Sequence, residues 1–193
     1  MNTMKFGALS ARHFLVQKRN LLRMLTQIPN KPNMDRIEQV GPDRACAEWL
    51  LRCGAKVKWT NNTSWLEDYN QLPSISIKNL LFEVEAIDSS IMDVGFIHLK
   101  GCNHIRSFLM NSCPYVEDNA LSKLDSLKSS LQNLELVNLL GVTDEGIKSL
   151  TELTELKSLV LEGLPSVRYQ STFDSLRKAL PNCDIKHKNV QLK

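Results

Sequence analysis

A pattern that recurs about every 25 residues constrains the fold of this 193-residue chain more than any other feature of its sequence. Apolar residues at one equivalent position follow each other at steps of 24, 26 and 25, and they are Ala86, Met110, Leu136 and Leu161. Aspartates at a second equivalent position follow at steps of 25 and 26, and they are Asp93, Asp118 and Asp144. Because two independent features keep the same step, the pattern predicts a stack of about four leucine-rich repeats.

The physical content of one repeat predicts the α/β class, with short parallel strands and helices. Each L-x-L portion predicts a strand with alternate side chains inward. The aspartate that follows predicts a helix start, which its carboxylate would cap. One repeat cannot bury the apolar face of its helix alone, so neighbouring repeats must stack. The residues Cys183-Asp184-Ile185 predict a last strand after the fourth, atypical repeat.

The segment before the repeats predicts a small, mainly helical lobe. Pro42 fits the first turn of a helix, the apolar residues after it have helical spacing, and Gly54 predicts a left-handed helix end. Residues 56–59 alternate in polarity as a short strand does. Aromatic side chains bury a large area, so we expect the three tryptophans of this lobe to be core residues. They are Trp49, Trp59 and Trp65.

The charge of the chain is unevenly distributed. The whole chain has 24 Lys and Arg against 21 Asp and Glu, a formal net charge of +3. Residues 1–34 contain six of the bases and no acid, so residues 35–193 carry 18 basic and 21 acidic residues. A basic, acid-free segment with interspersed apolar residues is typical of a mitochondrial transit peptide. A basic tail or a surface-binding helix is the alternative.

These patterns predict three parts of the chain. Residues 1–30 form a transit segment that is removed on import, residues 31–79 a helical capping domain, and residues 80–193 the leucine-rich-repeat domain. No apolar run approaches the length of a membrane-spanning helix, so we predict no transmembrane segment. Five cysteines at irregular spacings form no disulfide framework and favour a reducing compartment.

The sequence lacks the common motifs of catalytic and nucleotide-binding sites. It contains no phosphate-binding loop, no dinucleotide-binding glycine motif, no nucleophile elbow and no H-E-x-x-H. The nearest approach to a metal cluster matches no structural zinc spacing, and its members are His98, Cys102, His104 and Cys113. Cys113 aligns with core leucines of later repeats, whereas Cys102 and His104 are expected near the surface. We therefore predict that the chain is not an enzyme.

The predicted strands present a concave face that is a candidate partner-binding surface. Its candidate residues are Glu83, Glu85, Leu109, Glu135, Val160 and Glu162. Four acids and no base among the outward positions would repel phosphate, so we predict no nucleic-acid partner. A protein surface with basic residues is the more natural partner. The alternative is an ordinary solvated sheet face.

The chain resembles the mitochondrial ATP synthase coupling factor B family, also called subunit s. The most specific match runs from Val40-Gly41-Pro42-Asp43-Arg44-Ala45 into Glu48-Trp49-Leu50-Leu51-Arg52-Cys53-Gly54-Ala55. Further matches are Asp68-Tyr69-Asn70, Ala86-Ile87-Asp88, Tyr115-Val116-Glu117-Asp118 and Val142-Thr143-Asp144. The resemblance extends from about residue 34 to the end of the chain. It implies a helical N-terminal domain followed by leucine-rich repeats.

The resemblance also implies a function. Members of the family lie peripherally on the matrix side of the inner mitochondrial membrane and help to couple proton flow to ATP synthesis without catalysis of their own. The expected partners of this chain are therefore membrane-sector or stalk subunits of ATP synthase.

The family binds Mg²⁺ through backbone carbonyl groups, which suit a hard cation. One ligand position matches Gly54, and Ser90 is the closest match to the other, beside a two-residue deletion. The family's Cys-x-Cys pair is reduced here to Cys113, since Asn111 stands at the other position. The resemblance therefore predicts a magnesium site but no dithiol switch.

Two other functions remain open for a stack of this kind. A related class of proteins assists the assembly of the membrane arm of respiratory complex I. Leucine-rich substrate receptors of ubiquitin ligases share the Val142-Thr143-Asp144 type of turn. Such a receptor would need a helical adaptor segment and a cytosolic location, and residues 34–55 do not resemble that adaptor. Fold alone does not discriminate among these functions.

Overall fold

A computed structural model describes residues 24–188, so most of the predicted transit segment, residues 1–23, lies outside the described part of the chain. Residues 24–30 are helical. The other α-helices are α1 (Met34–Val40), α2 (Pro42–Arg52), α3 (Asp118–Ser122), α4 (Asp144–Ser149) and α5 (Gln170–Ala179). Short 3₁₀ helices cover Tyr69–Gln71, Asp93–Leu99, Lys123–Leu127 and Leu150–Glu152. In the described part of the chain, no helix has the length and apolar character needed to cross a bilayer.

Six strands form one sheet in the order in which they occur in the chain. They are β1 (Lys56–Trp59), β2 (Leu81–Ile87), β3 (Ser107–Asn111), β4 (Asn133–Val137), β5 (Ser158–Glu162) and β6 (Asp184–Lys188). Strand β1 runs antiparallel to β2, and β2 to β6 are parallel. The α/β class and the strand predicted at the end of the chain are confirmed. The antiparallel β1 closes one edge of the sheet, where the parallel series begins.

The same left-handed turn follows four successive parallel strands. The residue after the strand has a positive φ in each case, and these residues are Asp88 (49°), Ser112 (54°), Asn138 (51°) and Gly163 (63°). Each donates its backbone N–H to the carbonyl oxygen at the end of the next strand, at N···O distances of 2.9, 3.0, 2.9 and 3.2 Å in that order. Every turn is thereby tied to the strand that follows it.

One continuous core lies between the sheet and the helices. It runs from Cys46 in α2 to Leu180 after α5, and the inward residues of β2 to β5 are all buried. The apolar residues of the helical segments that follow β3 and β4 are buried too, and they are Leu121, Leu124, Leu127, Ile147, Leu150 and Leu153. In the lobe before the repeats, α2 begins at Pro42 as predicted, and Gly54 after it has a φ of 83°.

The repeated aspartates do not cap their own helices, so that prediction is wrong. Asp118 and Asp144 are the first helical residues, and the N-cap positions belong to the preceding Glu117 and Thr143. The carboxylate of Asp118 instead accepts hydrogen bonds from the backbone N–H and the hydroxyl of Thr143, one repeat further on, at 2.8 and 2.7 Å. The aspartate therefore joins two repeats.

Asp144 makes the equivalent connection to the last repeat. Its carboxylate accepts from the backbone N–H groups of Arg168 and Tyr169 at 2.9 and 3.1 Å, and from the Thr172 hydroxyl at 2.7 Å. Desolvation raises the pKa of Asp144, but these hydrogen bonds outweigh it and hold the pKa below its usual value. Asp93 differs, since its carboxylate lies 3.5 Å from the Lys123 ammonium group.

The close contact between Gly95 and Trp49 leads to a prediction about the packing of the core. A Cβ atom at Gly95 would lie 2.3 Å from Nε1 of Trp49 and 2.5 Å from its Cε2. The Trp49 ring is buried between Phe96 and His98, so it has no room to withdraw. We expect Gly95→Ala to lower the free energy of unfolding by about 1–3 kcal/mol, the usual cost of overpacking.

Urea denaturation of the two proteins measures this difference, with Val94→Ala as the matched control. Val94 is adjacent in sequence but exposed, so its truncation should cost less than about 0.5 kcal/mol. Equal stabilities of the Gly95 and Val94 variants would contradict the packing described here.

Candidate functional site

The side chains of the sheet that point away from the core form the candidate site, which we call the strand face. Its middle row crosses all six strands in register and consists of Lys56, Glu85, Leu109, Glu135, Val160 and Lys186. The row on one side of it contains Lys58, Glu83, Ser107, Asn133, Ser158 and Asp184. The row on the other side contains Ile87, Asn111, Val137, Glu162 and Lys188. The structure thus brings all six candidate partner-binding residues onto one surface.

Lysines of the two edge strands neutralise part of this face. Lys58 lies 3.2 Å from the Glu83 carboxylate, and Lys188 lies 3.6 Å from that of Glu162. The expectation of a face without bases therefore holds for the central strands β2 to β5 and is wrong for the complete sheet. The reason is that β1 and β6, which carry these lysines, belong to the same sheet as the four central strands.

Two carboxylates of the middle row remain without an ion pair among the described residues. Lys56 pairs with Glu67 at 2.9 Å, and Glu67 and, more weakly, Glu85 raise the pKa of Lys56. Glu85 is therefore close enough to Lys56 to interact with its charge. Along the row these carboxylates alternate with the half-buried side chains of Leu109 and Val160. The middle of the face combines two unpaired carboxylates with aliphatic surface.

Trp65 lies at the edge of the strand face, and its predicted place in the core is wrong. Trp49 and Trp59 are buried as predicted, but Trp65 is 37% exposed. The Lys58 ammonium group lies 5.2 Å from the centre of the Trp65 ring, within the range of a cation–π contact. Trp65 lies between a bend at residues 63–64 and the isolated bridge that Leu66 makes with Val57.

The chain segments that carry the two predicted magnesium ligands are neighbours. Ser90 donates its backbone N–H to the carbonyl oxygen of Cys53 at 2.8 Å, and its hydroxyl lies 3.2 Å from the same oxygen. Gly54 follows Cys53 directly. The Ser90 carbonyl accepts one hydrogen bond, from the side chain of Asn30 at 2.9 Å, and a carbonyl oxygen has a second lone pair. The hydrogen bonds between Ser90 and Cys53 thus join the two segments, and backbone carbonyl oxygens are ligands that suit a hard cation.

Asn30 is a structural hub that sequence reasoning missed. It is fully buried, and its side-chain oxygen accepts from the Trp49 indole N–H at 3.0 Å and from the Met92 backbone N–H at 2.8 Å. Its side-chain nitrogen donates to the carbonyl groups of Ser90 and Thr26, both at 2.9 Å. The end of the 24–30 helix is thereby fixed to the folded body. The only sequence signal was a polar residue beside Pro29, which is typical of a turn.

The five cysteines are free thiols, and all but Cys183 are buried. Cys113 is buried as predicted, and burial raises the pKa of its thiol. Burial likewise raises the pKa of Cys53 to about 12. Cys102 is fully buried, so its expected place near the surface is wrong, while His104 is exposed. Over residues 24–188, no three His, Cys, Asp or Glu side chains are grouped as metal ligands would be.

Comparison with known proteins points to one family. The chain is 40% identical to ATP synthase subunit s, mitochondrial, of Rattus norvegicus over 195 residues, which cover 95% of this chain and 98% of that protein. The protein of the same name from Homo sapiens is 39% identical over 174 residues, with coverages of 88% and 86%. That of Bos taurus is 38% identical, with both coverages at 84%. No protein-family model matches the chain.

The hydrogen bonds of Asn30 make a prediction about stability. Asn30→Ala leaves the indole N–H of Trp49 and the backbone N–H of Met92 buried without an acceptor. Each such donor costs about 1–3 kcal/mol, so we expect the free energy of unfolding to fall by about 3 kcal/mol.

Thermal and urea unfolding measure this change, with Asn33→Ala as the control. The Asn33 side chain accepts a single hydrogen bond at the exposed N-terminus of α1, and its loss should cost about 1 kcal/mol. If the Asn30 variant were no less stable than the Asn33 variant, the hub would not exist as described.

Proposed function

The chain belongs to the mitochondrial ATP synthase subunit s family, and on that premise we propose that it is a non-catalytic subunit of the mitochondrial ATP synthase. In this role it supports the coupling of proton translocation to ATP synthesis through protein contacts. The observation that carries the proposal is the middle row of the strand face, where unpaired Glu85 and Glu135 alternate with aliphatic side chains. Such a row is suited to docking on a surface with basic residues.

The proposal places the chain on the matrix side of the inner mitochondrial membrane, in peripheral association with membrane-sector or stalk subunits. The word mitochondrial in the names of the relatives supports this placement. The acid-free residues 1–34 support import by a transit segment. Because Asn30 is buried and hydrogen-bonded to the folded body, we place the cleavage before Asn30.

We also propose which type of repeat the chain contains and how the chain divides into domains. The strand–helix units from residue 80 onward are leucine-rich repeats, and residues 31–79 cap the first of them. Supporting observations are the parallel register of β2 to β6, the left-handed residue after each of four strands, and the carboxylate bonds from Asp118 and Asp144 to the next repeat. A stack of repeats of nearly equal length would account for all three observations.

Charge reversal on the strand face tests the proposed docking. We expect the double variant Glu85→Lys, Glu135→Lys to lower the fraction of tagged chain that co-migrates with ATP synthase by at least about tenfold. Like charges would then face each other across the interface, which costs several kcal/mol. Native gel electrophoresis of mildly solubilised mitochondria, followed by identification of the complex, measures this fraction.

The double variant Glu155→Lys, Asp174→Lys is the matched control. It makes the same change in net charge at exposed acids outside the strand face, and its co-migration should equal that of the unmodified chain. Unchanged co-migration of the strand-face variant would overturn the docking surface. Co-migration with complex I intermediates, or cytosolic residence with a ubiquitin ligase, would overturn the ATP synthase assignment itself.

A magnesium ion held by the carbonyl oxygens of Gly54 and Ser90 is a second, structural part of the proposal. The hydrogen bonds between Ser90 and Cys53 support it, since they keep the two segments together. The ion would supply positive charge that ties the end of α2 to the loop after β2. It has no part in catalysis in this proposal.

Paramagnetic Mn²⁺ in place of Mg²⁺ tests this site. We expect Mn²⁺ at low concentration to broaden the amide NMR signals of residues 53–55 and 89–91 first, because broadening falls steeply with distance from the ion. Excess Mg²⁺ should reverse it, and Mg²⁺ should raise the unfolding temperature. Broadening that first affects exposed acids such as Glu145 and Asp174 would overturn the site.

A further inference from the structure

A cavity beside α2 is lined by several basic residues and one acid. It has a volume of about 110 Å³ and is enclosed by the segment after the 24–30 helix, α1, α2 and the 3₁₀ helix Asp93–Leu99. Its cationic lining residues are Lys31, Arg36 and Arg52, its acidic lining residue is Glu48, and His98 lines it as well. The charge balance of this cavity decides what it can bind.

Glu48 is already saturated by two arginines. It is buried, and it accepts two hydrogen bonds from Arg36, at 2.9 and 2.6 Å, and one from Arg44 at 2.9 Å. Desolvation raises the pKa of Glu48, but the two guanidinium groups outweigh it and lower the pKa. One carboxylate between two guanidinium groups leaves one positive charge in excess.

The other two cations have no carboxylate partner in the described part of the chain. Arg52 is exposed and donates to the hydroxyl of Tyr69 at 2.6 Å, with its guanidinium carbon 4.8 Å from the centre of that ring. Tyr69 is a neutral partner, so the charge of Arg52 is not compensated. Lys31 is exposed and forms no ion pair with a residue of the 24–188 range. Lys31, Arg36 and Arg52 therefore give the cavity a net positive charge.

His98 and the size of the cavity further restrict the kinds of ligand that the cavity can bind. His98 is buried and stacked on Trp49, its Nδ1 lies 2.8 Å from the Gly95 carbonyl, and burial lowers its pKa. It lines the cavity as a polar, neutral group. The cavity volume of about 110 Å³ leaves room for a group of a few heavy atoms. A compact anion therefore fits this space.

We propose that this cavity binds a small tetrahedral oxoanion, with inorganic phosphate as the ligand. Lys31 and Arg52 supply its main charge contacts. Arg36 uses two N–H groups on Glu48 and has three of its five left for the anion. The site is separate from the strand face, and it does not depend on the proposed role in ATP synthase.

Calorimetric titration of the full chain with phosphate tests the site, in a phosphate-free buffer near neutral pH with ionic strength held constant by NaCl. We expect saturable binding and a higher unfolding temperature in its presence. Arg52→Gln and Lys31→Gln each remove one exposed charge and should weaken binding about tenfold. Circular dichroism checks that both variants fold.

Two matched variants separate charge from structure. Tyr69→Phe removes the hydroxyl partner of Arg52 but keeps the cation, and Lys100→Gln removes an exposed lysine outside this cavity. Both should bind phosphate within about twofold of the unmodified chain. An equal loss in Lys100→Gln, or no loss in Arg52→Gln, would overturn the site, as would an equal effect of NaCl alone.

The ligand and its position are tested in the same samples. Phosphate should shift the indole N–H NMR signal of Trp49, which lines the cavity, and leave that of Trp59 unchanged. Glycerol 3-phosphate imitates a lipid head group and should bind more weakly, because the ester needs additional space. Tighter binding of the ester would overturn free phosphate as the ligand.

Discussion

The left-handed turn after each of the four strands β2 to β5 is the constraint on which the rest of this structure depends. Asp88, Ser112 and Asn138 adopt this conformation although it costs a residue other than glycine about 1–2 kcal/mol. Each turn places its N–H on the carbonyl oxygen that ends the next strand, so the strands are held without a register shift from β2 to β6. The same alignment brings Asp118 and Asp144 within hydrogen-bonding distance of the following repeat.

The sequence predicts most of this fold, because the hydrophobic pattern and the repeat step are both local and redundant. The positions of the inward-facing leucines and of the strand at residues 184–188 can be predicted from a repeat length of 24–26 residues. The role of Asp118 and Asp144 could not be predicted in the same way. A carboxylate at the start of a helix fits a cap and a bond to a neighbouring repeat equally well, and only the packing of α3 against α4 decides between them.

The candidate site was harder to predict, since it depends on contacts between residues far apart in the chain. The outward row of Glu85 and Glu135 follows from strand alternation, but the lysines that border it belong to β1 and β6 at opposite ends of the sheet. Asn30 acquires its role only when Trp49 and Met92, 19 and 62 residues away, are folded around it. No spacing rule in a single sequence marks such a residue.

The unpaired carboxylates of the strand face limit which partner can cover it. Glu85 and Glu135 lie on strands two positions apart, hence about 10 Å from each other, and in water their repulsion is only about 0.4 kcal/mol. The free chain therefore tolerates them easily. Covering either one with apolar surface alone would strip water from a charge without replacing it, at a cost of several kcal/mol. A partner that buries this row must place cations about 10 Å apart, with apolar groups between them to meet Leu109.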